Sequence, residues 1–286
     1  MITLITIKVL VSVAIVLALS MIAERVSPKV AGMLSGYPLG TAIALFFIGY
    51  EISPDFAAES AVYTLAGFAS TLMLSTGYLL GCKPVTDQPS EAEPQAIPVD
   101  KTQPAASWQI IGLASLCGIT LFLISGYLIQ MLSLNLLTAA CLPAVAILLC
   151  LWGYRHIPET QVTRKAPMSF MVLIFRALVA AGIVLVITGL AHVVPASIAG
   201  ILAAFPVSMF PFLVLMHRSY GSGKAATIIK HYPTGLGSLM VYATSVAWCY
   251  PSSGLLWGTV LSFALATVYL MIAPPWIDRL RSLWQR

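Results

Sequence analysis

Charge is what this chain lacks most. Only 9% of its 286 residues are Asp, Glu, Lys or Arg, while 59% are hydrophobic. Soluble domains carry about 25% charged residues, so the composition points to an all-α polytopic membrane protein. The five cysteines (Cys82, Cys117, Cys141, Cys150, Cys249) are scattered, with no CxxC or Cys/His spacing. They read as small packing residues, and neither a metal nor a disulfide is expected. No Ser/His/Asp arrangement, metal-ligand set or phosphate loop occurs, so nothing speaks for an enzyme and no cofactor is expected. No acid lies in the middle of an apolar span, which leaves a buried carboxylate proton relay without support. The net charge of +5 does not suggest nucleic acid, because the basic residues sit at helix ends. The first 23 residues lack the basic n-region of a signal peptide, and their pattern returns at 169–191.

Long apolar runs are what the chain has. About nine spans are expected, near 3–23, 30–50, 57–81, 108–132, 134–153, 168–192, 196–216, 224–249 and 253–273. The loops of one side carry Arg25, Lys29, Lys83, Lys101, Arg155, Arg164, Lys165, Arg218 and Lys224, and its tail Arg279, Arg281 and Arg286. Those of the other side carry no Lys or Arg but do carry Glu51 and Asp55. The positive-inside rule then puts the N-terminus outside and the C-terminus in the cytoplasm.

One stretch occurs twice. The run 30–50, VAGMLSGYPLGTAIALFFIGY, aligns without a gap on 198–216 at an offset of 168 residues. Over 8–71 against 176–239, 16 of 64 positions are identical, among them Pro38/Pro206 and Gly67/Gly235, and Lys8 matches Arg176. Helix 6 repeats helix 1 five spans later, so the copies run in opposite directions. The expected fold is two inverted-topology repeats, 5+4, with domains at 1–153 and 154–286. The linker 82–107, rich in proline and acid, reads as a disordered cytoplasmic insertion in the first.

Helices 2 and 7 are expected to be broken. Pro38 and Pro206 have no N–H, and each costs the carbonyl four residues back its partner. Thr41 and Ser208 are candidates to satisfy freed carbonyls. Tyr37 and Phe205, just before the prolines, either stack on a ligand or simply pack. Gly32, Gly36 and Gly40 share one helix side, and Gly200 and Ala204 match them, which suits close packing of helices 2 and 7. Such faces also admit a homo-oligomer.

The candidate charges are Lys8 and Arg176. Lys8 either snorkels to the headgroups or serves an anion. Arg176 lies deeper, where an unpaired charge costs ~2.5 kcal/mol or more. Lys230 and His231 precede Pro233 and form either an interfacial elbow or an extension of the Arg176 pocket. Glu51 and Glu59 near Lys8 read as a salt bridge or a solvated mouth, with proton coupling second.

With these residues in hand, each half resembles the GlpM family of small bacterial inner-membrane proteins. The resemblance rests on the early basic residue (Lys8, Arg176), the A-G-x-L run (31–34, 199–202), the aromatic–Pro pair and the glycine of the next span (Gly67, Gly235). It implies an antiparallel pair of small proteins fused into one chain, and it carries no biochemical activity. The leading expectation is a secondary transporter for a small anion. A lipid or polyprenyl-phosphate flippase and a non-transporting scaffold are the alternatives.

Overall fold

The computed structural model describes residues 2–25, 37–82, 107–158 and 170–284, with only the backbone described for some of them, Arg176 included. Gly32, Gly36, the A-G-x-L run of the first half and the insertion at 83–106 lie outside these residues. Every element within them is helical. The order is α1 Ile2–Arg25, α2 Leu39–Glu51, α3 Pro54–Cys82, α4 Trp108–Gln130, α5 Leu136–Gly153, α6 Phe170–Leu190, α7 Ala196–Ala203 and α8 Met209–Trp284. Four helical runs are long and apolar enough to cross a membrane: Pro54–Cys82, Trp108–Gln130, Leu136–His156 and Met209–Ile272. The chain is therefore a helical protein of membrane type. Large apolar side chains such as Leu116, Leu137, Leu148 and Trp257 face outward, which suits lipid as the solvent.

The α8 run is not one rod. Gly221 (φ 79°) and Gly254 (φ 73°) adopt the left-handed region inside it. A side chain there would crowd the following carbonyl, so glycine permits each reversal. Beyond Gly254 the chain doubles back. Ser238 donates to the Ala266 carbonyl (3.3 Å), Tyr242 packs on Phe263 (5.0 Å between rings) and Tyr250 bonds Thr259 (2.9 Å). Residue numbers rise on one segment as they fall on the other, so 222–253 and 255–284 form an antiparallel hairpin.

Pro233 corrects one expectation. It does not turn the helix at an interfacial elbow, since helical backbone continues through it. Buried Ile229 and Leu236 on either side hold the segment in the core, and this packing offsets the missing hydrogen bond.

α3 organises the packing. Its 29 residues contribute to two apolar clusters, one built with α2, α6, α7 and α8 and the other with α4, α5, α7 and α8. Glycines let α4 approach it backbone to backbone. A Cβ on Gly77 would meet the Cys117 carbonyl oxygen at 2.7 Å, and one on Gly118 the Leu74 carbonyl oxygen at 2.8 Å. α1 packs chiefly along α6.

Candidate functional site

The two aromatic–proline pairs form the same turn. Leu39 N–H donates to the Tyr37 carbonyl and Val207 N–H to the Phe205 carbonyl, both at 2.8 Å. Each closes a three-residue turn around the proline, which has no N–H to lose. Ala42 N–H then reaches the Pro38 carbonyl and Phe210 N–H the Pro206 carbonyl, again both at 2.8 Å. All four donor–acceptor pairs obey the offset of 168. α2 starts immediately after the first turn. The second turn separates α7 from the helix that begins at Met209.

These turns face one another. A cavity of about 20 Å3, room for one water molecule, is lined by Tyr37, Pro38, Gly40, Thr41, Phe205, Pro206, Val207, Ser208, Met209, Tyr232 and Leu239. The structure thus brings together Tyr37, Pro38, Thr41, Phe205, Pro206 and Ser208, with Gly40 beside them. At the crossing, a Cβ on Gly40 would lie 2.9 Å from Val207 Cβ. Two helices of 13 and 12 residues begin at this cavity. First-turn amides have no partner within their helix. Among the described residues, the amides of Thr41, Ser208 and Met209 find no backbone acceptor. Donors and the positive ends of two helix dipoles meet at one point, an arrangement that favours an anionic or strongly polar group.

The walls are specific. Tyr37 stacks on Phe263 (5.7 Å) and its hydroxyl bonds Thr267 (3.0 Å). Phe205 meets Phe122 and Phe210 edge-on at 5.3 and 5.5 Å. The carbonyls beside the second break are capped from α3. Thr64 donates to the Gly200 carbonyl (2.9 Å) and Thr71 to the Ala204 carbonyl (2.7 Å). Thr41 and Ser208, the candidates for such caps in the sequence, line the cavity. Gly200 and Ala204 pack on α3, against Ser60, Tyr63 and Gly67. The spacing Thr64–Gly67–Thr71 puts two hydroxyls and a gap on one face of α3, a signal that pointed to this partner.

The charges sit elsewhere. Lys8 is buried, with Nζ 2.5 Å from Glu51 Oε1 and donating to Thr188 Oγ1 at 2.8 Å. Its ammonium therefore has an internal partner, the salt bridge expected for Glu51. Glu59 is exposed. Lys230 Nζ donates to the Ile157 carbonyl at 2.8 Å, which ties it to the end of α5, and the His231 carbonyl accepts from Thr234 at 2.7 Å. Arg176 lies on α6, twelve residues before Thr188, ~18 Å along the axis. The sequence reading missed His217, fully buried, whose Nδ1 pairs with the Tyr78 hydroxyl at 2.9 Å. Tyr232 and Leu239 were also missed. They share a face at a spacing of seven residues, a pattern that does not single out a cavity.

No family model, curated protein or solved structure matches this chain.

Proposed function

We propose that this chain is a secondary transporter of the bacterial inner membrane, moving a small anionic molecule by alternating access. The observation that carries the reading is the cavity between the two proline turns, with amides from two helix starts that find no backbone acceptor among the described residues. Transporters built on inverted repeats bind at such half-helix ends near mid-bilayer.

The architecture we propose is nine spans in two inverted repeats, 5+4. α1, α3, α4, α5 and α6 each make one span. α2, with the residues before Pro38, makes the second. α7 with 209–220 makes the seventh, and 222–253 and 255–284 make the last two. Exchange-related contacts support it. Tyr37 of span 2 stacks on Phe263 of span 9, and its repeat mate Phe205 of span 7 packs on Phe122 of span 4. Ser238 bonds the Ala266 carbonyl, while its mate Ser70 lies beside Gly126. Val207 and Gly40 are each next to the other's mate, and in this reading their contact lies on the pseudo-two-fold axis. The resemblance of each half to the GlpM family belongs to this reading. The C-terminus is proposed as cytoplasmic. Arg155 over Trp152 (5.2 Å) and Arg218 over Trp108 (5.5 Å) suit one headgroup layer on that side.

In this reading the small cavity corresponds to an occluded state, and anything larger than water enters only when the halves separate. Lys8 is neutralised by Glu51, so the anion preference rests on the amides and on Arg176. One observation favours a lipid or polyprenyl-phosphate flippase as the second reading. An apolar groove of about 170 Å3 runs between α4 and α7, lined by Gly126, Tyr127, Ile201 and Leu202 among others. Thermal-shift screening of the purified chain against small carboxylates, phosphorylated metabolites and polyprenyl phosphates tests both. Stabilisation by a small anion, lost in Gly40→Leu, is the expected result. Stabilisation by the long-chain lipids alone passes the reading to the flippase.

A further inference from the structure

The salt bridge at the far end of α2 has a third member. Glu51 is the last residue of α2, and its side chain is only 8% exposed. One carboxylate oxygen meets Lys8, from α1. The other accepts from His192 Nε2 at 2.9 Å, from the connection between α6 and α7. The His192 side chain is 46% exposed. A buried carboxylate is thus joined to the aqueous face by one imidazole, a group suited to passing protons near neutral pH.

We propose that Glu51 binds the coupling proton of this transporter, delivered through His192, and that its arrival frees α2 from α1 and α6. The inference rests on the transport reading for the word coupling, while the proton site stands on its own geometry. His192 takes a proton from hydronium at Nδ1, leaving water. Its Nε2–H bond then breaks as the Glu51 Oε2–H bond forms, leaving a neutral imidazole and a neutral carboxyl. Lys8 is then a buried cation without its counter-charge, a state that is strongly unfavourable until water reaches it. Separation of α1 from α2 lets water in.

The neighbours single out this group. α1 offers Lys8. α6 offers the Thr188 hydroxyl, with its one charged residue, Arg176, ~18 Å away along the axis. α7 has no titratable side chain. Asp55 and Glu59, on the first turns of α3, are exposed. From α8, Tyr250 lies 3.4 Å from a Cβ placed on Gly49, and its hydroxyl is held by Thr259. The signal also has a path. Thr41 to Gly49 are almost wholly buried, so α2 moves as a rod, and its first turn forms the cavity wall ~20 Å away. The second repeat has Ser219 in place of Glu51, so only one face carries this carboxylate.

Hydrogen exchange of the full chain in lipid nanodiscs tests this, at about pH 5 and about pH 8, with each amide normalised to its intrinsic rate. In the parent, α2 exchange is expected to rise severalfold at the lower pH while α4 stays unchanged. Glu51→Gln should show fast α2 exchange at both values. His192→Gln should slow the response to a pH jump. Equal α2 exchange at both values in the parent, or a full pH response in Glu51→Gln, overturns the proposal even where a small anion stabilises the chain. A response lost in Glu51→Gln supports the proton site even where no anion binds, an outcome that counts against the transport reading alone.

Discussion

Gly200 is the position where the packing can be tested most sharply. A Cβ built there collides with the Ser60 carbonyl oxygen and falls 2.8 Å from Tyr63 Cβ and 2.9 Å from the Ser60 carbonyl carbon. Two of these are backbone atoms of α3, so no rotamer change relieves them. In Gly200→Ala, α7 must move off α3. Overpacking costs ~1–3 kcal/mol. The shift also stretches the Thr64 and Thr71 hydroxyl bonds to the Gly200 and Ala204 carbonyls, each worth ~0.5–1.5 kcal/mol. Helix propensity returns only ~0.5–1 kcal/mol. The net is a destabilisation of about 3 kcal/mol. Gly182→Ala is the control, since nothing lies within 4 Å of a Cβ there. It should be neutral or slightly stabilising. Thermal unfolding of both variants in one detergent, followed by tryptophan fluorescence, makes the comparison. If Gly200→Ala melts at or above Gly182→Ala, α7 does not seat on α3 as described, and the reasoning fails.

Four further outcomes are expected. Thr71→Val should cost ~1–3 kcal/mol, because the buried Ala204 carbonyl loses its donor, and Thr71→Ser should recover most of it in the same melt. Tyr37→Phe should cost ~0.5–1.5 kcal/mol, the worth of the Thr267 bond, with the stack on Phe263 retained; an unchanged melting point would mean that bond carries nothing. Gly254→Ala should cost ~1–2 kcal/mol through its left-handed backbone, while Gly153→Ala, with φ −67° and open space, should not. For topology, a cysteine replacing Arg155 should resist an impermeant maleimide in intact cells, and one replacing Val193 should react; the reverse pattern inverts the orientation.

Much of the site was legible because its signals are covalent. Proline lacks an N–H wherever it sits, so two turns could be placed from Pro38 and Pro206 alone. The offset of 168 said the turns would correspond, and their hydrogen bonds do, pair by pair. Gly200 and Ala204 announced a close approach through their spacing. That spacing did not name the partner, because small residues permit contact with any helix that offers a matching face. Thr64, Gly67 and Thr71 of α3 offered it. Pro233 was misread for a related reason. A proline weakens a helix by an amount that packing of Ile229 and Leu236 can outweigh, and packing is not a local property.

The charges show where reading along the chain ends. Composition and periodicity determined that this protein is helical and membrane-type, because each follows from backbone chemistry and the local solvent preference of side chains. Only the tertiary structure decided what Lys8 does. Its partners lie 43 and 180 residues away, Glu51 on α2 and Thr188 on α6. A buried charge takes its meaning from the groups within a few ångströms of it, and those are set by how the helices stack.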